Sequence, residues 1–258
     1  MDAWTHGHGL AYAAYVMIYA AYVNLKKHIR CVCKYSAICS VRCKMETLLE
    51  PKALTSKTVA PKRRKEMIAE TRGKLIAAGR HAFATKGYAD ASMDDFTADA
   101  GLTRGALYHH FGDKKGLLHA VILEIDQEMS ERLNAIVSRA DTEWDGFIDE
   151  CVAYMNMALE PEIRRIMLLD GPAVLGDPAQ WPSQNACLRA TTASLQRLID
   201  AGTIRDVPPE ATARLINGAT LSAALWIAGA DHPAAVSKQA VDAFLAMVEG
   251  LLKKSAAT

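Results

Sequence analysis

Beyond residue 60, apolar residues recur three and four positions apart along almost the whole chain, and nowhere do they alternate with the period of two that a half-buried strand requires. The pattern predicts an all-α protein, and its sharpest stretch is residues 91–115, ASMDDFTADAGLTRGALYHHFGDKK. Ser92 stands where an N-cap belongs, with Asp95 three positions on as the acidic half of a capping-box-like pair. Met93, Phe96, Thr97 and Ala100 give the helix that follows an inner face, and Gly101 can end it in the left-handed conformation. Thr103 is a second N-cap, and Leu102 and Leu107 have the spacing of a hydrophobic staple around it. This second, short helix is then held by Leu102, Ala106 and Leu107, which leaves Arg104, Gly105, Tyr108 and His109 facing outward. Such a face suits a groove. Caps and periodicity alone fit an ordinary helical hairpin with a solvated face equally well.

The flanks extend the pattern. A helix of about twenty residues, with Ile68, Leu75 and Ala82 repeating every seven positions beside Ile76, Gly79 and Phe83, precedes the stretch and stops at Gly87, where Tyr88 folds back on it. After Gly112, Asp113 caps a long helix reaching to about Ala140. Its first turn carries Lys114 and Lys115, against the helix dipole, an arrangement that a phosphate bound there would offset. Helices are expected over 144–159, from Pro161 through PEIRRIMLLD, over 182–201 and 211–230, and from Pro233 to the end. Gly171-Pro172 and Gly176-Asp177-Pro178 are expected to break the chain.

Charge divides the 258 residues unevenly. Residues 1–60 hold eight Lys/Arg against three Asp/Glu, residues 61–118 eleven against seven, and residues 119–258 eleven against nineteen. A basic front suits contact with a polyanion and an acidic back does not. Lys62-Arg63-Arg64-Lys65 reads equally as an arm for phosphates or as a solvated run. Residues 1–60 differ from the rest, with a 16-residue apolar run at 10–25 and Cys31, Cys33, Cys39 and Cys43 within 13 residues. Three readings stand for residues 1–60: a membrane-tethering helix, a zinc site with poor knuckle spacing, or upstream sequence preceding a natural start at Met45 or Met67. Cys151 and Cys187, isolated in the helical body, read as small buried hydrophobes.

From Arg72 to Ile122 the chain resembles the DNA-binding domain of the TetR family of transcriptional regulators. The resemblance is carried by Ala78, Phe83, Gly87, Tyr88, Ser92, Ala100-Gly101, Thr103, Gly105, Leu107-Tyr108, Phe111, Lys114 and Leu117-Leu118. Phe96 departs from the family, which more often has a branched aliphatic residue there. The resemblance implies a helix-turn-helix DNA-binding domain over 61–118 and a ligand-binding and dimerisation domain over 119–254, with 1–60 an atypical extension and 255–258 a tail. It implies a cytoplasmic regulator, more often a repressor, that meets a palindromic operator in double-stranded DNA as a homodimer joined through its last two helices. Release would come from a small-molecule effector, and no membrane contact is expected. Thr103, Tyr108, His109 and Lys114 take the phosphate positions, with Ser92 as an addition, while Arg104 is placed to read guanine and Gly105 to let the backbone approach the duplex.

No catalytic signature stands against this reading: G-x-S-x-G, phosphate-loop and H-E-x-x-H motifs are missing, no histidine has a partner at metal spacing, and neither a cofactor nor a metal is expected. Trp144, Tyr154, Met155, Met157, Met167, Asp170, Trp181 and Trp226 are candidates to line an effector cavity, each explained more readily by core packing. A helical small-molecule module or enzyme without DNA function is the rival class.

Overall fold

The computed structural model describes residues 61–253; the apolar run, the cysteine cluster and the alternative start at Met45 lie outside the described residues. Among the described residues nine α-helices follow one another: α1 Pro61–Asp90, α2 Met93–Ala100, α3 Arg104–Phe111, α4 Lys114–Val137, α5 Glu143–Met157, α6 Gly171–Leu175, α7 Pro182–Asp200, α8 Pro209–Gly229 and α9 Pro233–Val248. A π-helical segment, Ile163–Asp170, leads into α6. Among the described residues there is no strand, only an isolated antiparallel bridge between Ile204 and Leu252.

Two apolar cores hold the chain. In the first, Leu75 and Phe83 of α1, Phe96 of α2, Leu107 of α3 and Leu117 and Leu118 of α4 are fully buried, each contributing about 1.5–3 kcal/mol by leaving water. The Phe96 ring meets Phe83 edge-on, 5.1 Å between centroids, so the aromatic substitute for an aliphatic residue is absorbed as a ring pair. Tyr88 does fold back, stacking on Phe83 at 5.7 Å. The apolar face of α1 is buried only from Leu75 onward; Met67 and Ile68 stay exposed. The α4 helix carries the first core on through Ile125 and Met129 to Ile163, Ile166 and Met167 of the π-segment. In the second core Phe147 and Met155 of α5 pack with Leu195 and Leu198 of α7, Ile216 and Ile227 of α8, and Phe244 and Val248 of α9.

The Gly171-Pro172 pair does not break the chain as expected. An α-helical proline would lack a donor and crowd the carbonyl four residues back. Here the backbone is already wound more widely, with Gly171 N–H donating to Ile166 O five residues back, and the rod continues to Leu175. It ends at Gly176, at φ 92°. Arg164 leaves the π-segment sideways: its Nε donates to Ala228 O at 2.6 Å and its Nη2 to Ala230 O at 3.3 Å. A cation is thereby seated at the C-terminus of α8, where the helix dipole favours it.

Candidate nucleic-acid interface

The short helices α2 and α3 are fixed by their caps. Ser92 Oγ accepts from Asp95 N at 3.2 Å and Ser92 N donates to Asp95 Oδ2 at 2.9 Å, so both halves of the capping box form. The Ser92 N–H, then Lys86 at 3.0 Å and the Ser92 hydroxyl, hold the Asp95 carboxyl at about 2. Gly101, at φ 62°, turns the chain, and Leu102 N donates back to Thr97 O at 2.8 Å. Thr103 Oγ1 then accepts from Ala106 N at 3.3 Å, and Leu107 is fully buried with Leu102 packed against the same core. Asp113 Oδ1 accepts from Gly116 N at 2.7 Å to open α4.

With its inside pinned, α3 presents Arg104, Gly105, Tyr108 and His109 to solvent, while Phe111 turns inward under the Arg72 guanidinium, 5.5 Å from the ring centroid. A Cβ added at Gly105 would meet nothing nearer than Thr103 Oγ1 at 3.7 Å, so the fold itself does not require glycine there. Lys114 is half-buried: its ammonium lies 4.4 Å from the Tyr88 ring centroid and donates to Ala89 O at 3.2 Å. One of its three donors is used, and the charge is held beside the start of α4. Arg104 does not stand alone. Its Nε and Nη2 donate to the two carboxylate oxygens of Asp94 on α2, which holds the Asp94 carboxyl below the usual carboxylate range and raises the guanidinium. The sequence reading missed Asp94. Its signal was an acid in the first turn of one helix and an arginine opening the next, across a tight turn that sets the two helix starts side by side.

Two struts join this head to the π-segment. Arg80 of α1 donates in bidentate fashion to Glu162 (both bonds 2.7 Å) and to Glu128 of α4 (2.6 and 2.7 Å). Eight residues on, just past the non-helical Gly87 that kinks α1, Tyr88 N donates to Asp170 Oδ2 at 2.7 Å, and Arg165 Nε donates to the same carboxylate at 3.2 Å. Gly87 makes this second strut fit: it has φ 79°, and a Cβ there would sit 1.8 Å from Arg165 Nη2. Asp170, expected at a cavity wall, is thus the acceptor that ties head to body.

The cavity lies where α4, α5, the π-segment, α7 and α8 converge, lined by Asp126, Met129, Tyr154, Met167, Trp181 and Leu221 among others. Its volume is about 30 Å³, room for a water molecule or two and far below the roughly 300 Å³ of a drug-sized site. Burial pushes the Tyr154 phenol up. Of the candidate effector residues, Tyr154, Met167 and Trp181 line this cavity together. Met155 and Met157 are core residues, Trp144 packs on Phe147 at 6.1 Å, and Trp226 stands 54 % exposed on the outer face of α8. These four do not line the cavity; periodicity marks an apolar face without saying what covers it. Among the described residues no group of three or more His, Cys, Asp or Glu side chains could hold a metal ion, and no helix is long and apolar enough to cross a membrane.

Comparison with known proteins bears on both regions. The sequence model of a family described as bacterial regulatory proteins, tetR family, matches residues 75–121, and that of a tetracyclin repressor-like C-terminal domain matches residues 144–251. An HTH-type transcriptional repressor of Mycobacterium tuberculosis is 29 % identical over 201 residues, 76 % of this chain and 100 % of its own. The HTH-type transcriptional repressor AcnR of Corynebacterium glutamicum is 31 % identical over 144 residues, 54 % of this chain and 72 % of its own. Among solved structures, a TetR-family transcriptional regulator from Pectobacterium atrosepticum superimposes with a TM-score of 0.70 at 49 % identity, covering 74 % of this chain and 98 % of that one.

Proposed function

The chain belongs to the TetR family of transcriptional regulators, which are not enzymes, and from that premise we propose that it is a repressor that binds a palindromic operator as a homodimer and is released by a small-molecule effector. The observation that carries the reading is the row Arg104, Gly105, Tyr108 and His109, exposed along one face of a helix capped and pinned on its other face. In this reading α3 lies in the major groove. Thr103, Tyr108, His109 and Lys114, with Ser92 at the start of α2, contact phosphates, and Arg104 reads guanine O6 and N7. The missing side chain of Gly105 lets the backbone come close.

The dimer would form through α8 and α9. Leu215, Trp226 and Met247 are 75 %, 54 % and 55 % exposed, and Ala219, Ala223 and Ala243 line the shallow groove that also holds Trp226 and Met247. Large exposed apolar side chains flush with small ones form a face that a second copy can cover. Two heads related by a dyad would then meet half-sites about one helical turn, ~34–36 Å, apart or slightly more.

The effector would enter an opened form of the cavity and act by its preference for that form. The π-segment supports a route from cavity to head. Ile163 and Met167 line the cavity, while Arg165 and Asp170, with Glu162 just before them, hold α1. The test is binding of the full chain to the DNA upstream of its own gene. A complex that survives excess nonspecific competitor, protects a palindrome and weakens with salt is expected. A folded dimer that binds no DNA even at low salt would leave a small-molecule binding module instead.

A further inference from the structure

The ion pair on the exposed face of the head gives Asp94 a part of its own in the reading of DNA. An arginine has five N–H donors in two usable edges, one formed by Nε with Nη2 and the other by the two terminal nitrogens. Asp94 occupies the first edge completely, oxygen for nitrogen. Among the described residues no side chain or carbonyl takes a hydrogen bond from the second edge. That is the edge whose two parallel N–H groups match guanine O6 and N7. Asp94 also sits in the first turn of α2 and Arg104 opens α3, so both ends of the pair are carried by capped helices and not by a loop.

We propose that Asp94 is a specificity-determining residue: its carboxylate fixes the Arg104 fork in the orientation that meets guanine, and neutralises the charge with which Arg104 would otherwise grip any duplex. The proposal rests on the reading that α3 enters the major groove. Two consequences follow from the physics. A free arginine head samples many rotamers and gives much of its attraction to the nearest phosphate, which carries no sequence information. An arginine paired with Asp94 contributes little net charge, so its value at a non-guanine step falls while its two hydrogen bonds at guanine persist. Asp94 therefore lowers binding to DNA in general and raises the ratio of specific to nonspecific binding.

Site selection from a pool of random duplexes, followed by titration of the selected duplex and single-base variants, separates this from a merely structural role. The wild-type chain is expected to enrich a symmetric site with guanine at one position per half-site, and Arg104→Ala to lose that preference. Asp94→Ala should lose preference at that same base pair by roughly fivefold to a hundredfold, bind the other variants more tightly, and show a steeper salt dependence by about one ion per half-site. Asp94→Asn keeps the shape and one acceptor, and decides the matter if the alanine variant fails to fold; it should fall between the two. If Asp94 only favours the start of α2 through the helix dipole, both variants will keep the wild-type base profile, and the proposal is overturned with DNA reading left standing. A wild-type chain that enriches no sequence overturns both.

Discussion

In the head, the groups that fix α2 and α3 come from a short run of chain: Lys86, Ser92, Asp95, Leu102, Thr103 and Leu107, with Asp113 opening the next helix. The cavity of the body is lined from α4, α5, the π-segment, α7 and α8, so residues as distant as Asp126 and Leu221 must meet to form it. The exposed row Arg104, Gly105, Tyr108 and His109 is set by the chain's own caps and core. The cavity holds only about 30 Å³. Under the proposed function the first region would be the reader, whose geometry must not drift, and the second the receiver, which must have a second state to adopt.

The largest expected effect tests whether the head's rigidity comes from its core. Phe96→Ala removes a fully buried ring from the Phe83–Phe96 pair and should cost roughly 3–5 kcal/mol in denaturant unfolding; a loss under 1 kcal/mol would mean that caps alone hold the head. Arg80→Ala cuts the first strut and should cost about 1–3 kcal/mol, with a Glu162→Ala partner showing strong non-additivity in a double-mutant cycle. Gly105→Ala should split stability from function. It gives α3 a better helix former with space for its Cβ, worth up to about 1 kcal/mol in unfolding, while operator affinity falls because the new methyl stands between backbone and duplex. The smallest effect concerns Asp95. Its folded value of about 2 lies below the ordinary 3.8, so its contribution is present above about pH 4 and is lost as pH falls towards 2. Asp95→Asn should therefore differ from wild type in melting temperature at pH 6 and converge with it near pH 2.

The same contrast explains how far the sequence could be read. Ser92, Gly101, Thr103 and Asp113 act within three or four residues of themselves, and their caps formed as their spacing implied. Apart from Asp94, ten positions from Arg104, what sequence does not reveal acts across the chain. Asp170 reaches Tyr88 over 82 positions, and Arg80 reaches Glu162 over the same span. Nothing in local periodicity distinguishes these from any polar residue on a helix. Trp226 shows the same limit from the other side: an aromatic on an apolar helix reads as core until the fold leaves that face uncovered. The π-winding before Pro172 was hidden too, since a Gly-Pro pair normally signals a stop and only the wider turns behind it let the rod run on.

Backbone hydrogen exchange on the full chain, with and without a duplex carrying the selected palindrome, tests the central claim most directly. The account predicts slowed exchange at the start of α2, along α3 and in the first turn of α4, with the cavity-lining segments of α7 and α8 little changed. Protection confined to α7 and α8, with α3 exchanging as freely as in the unbound chain, would contradict it.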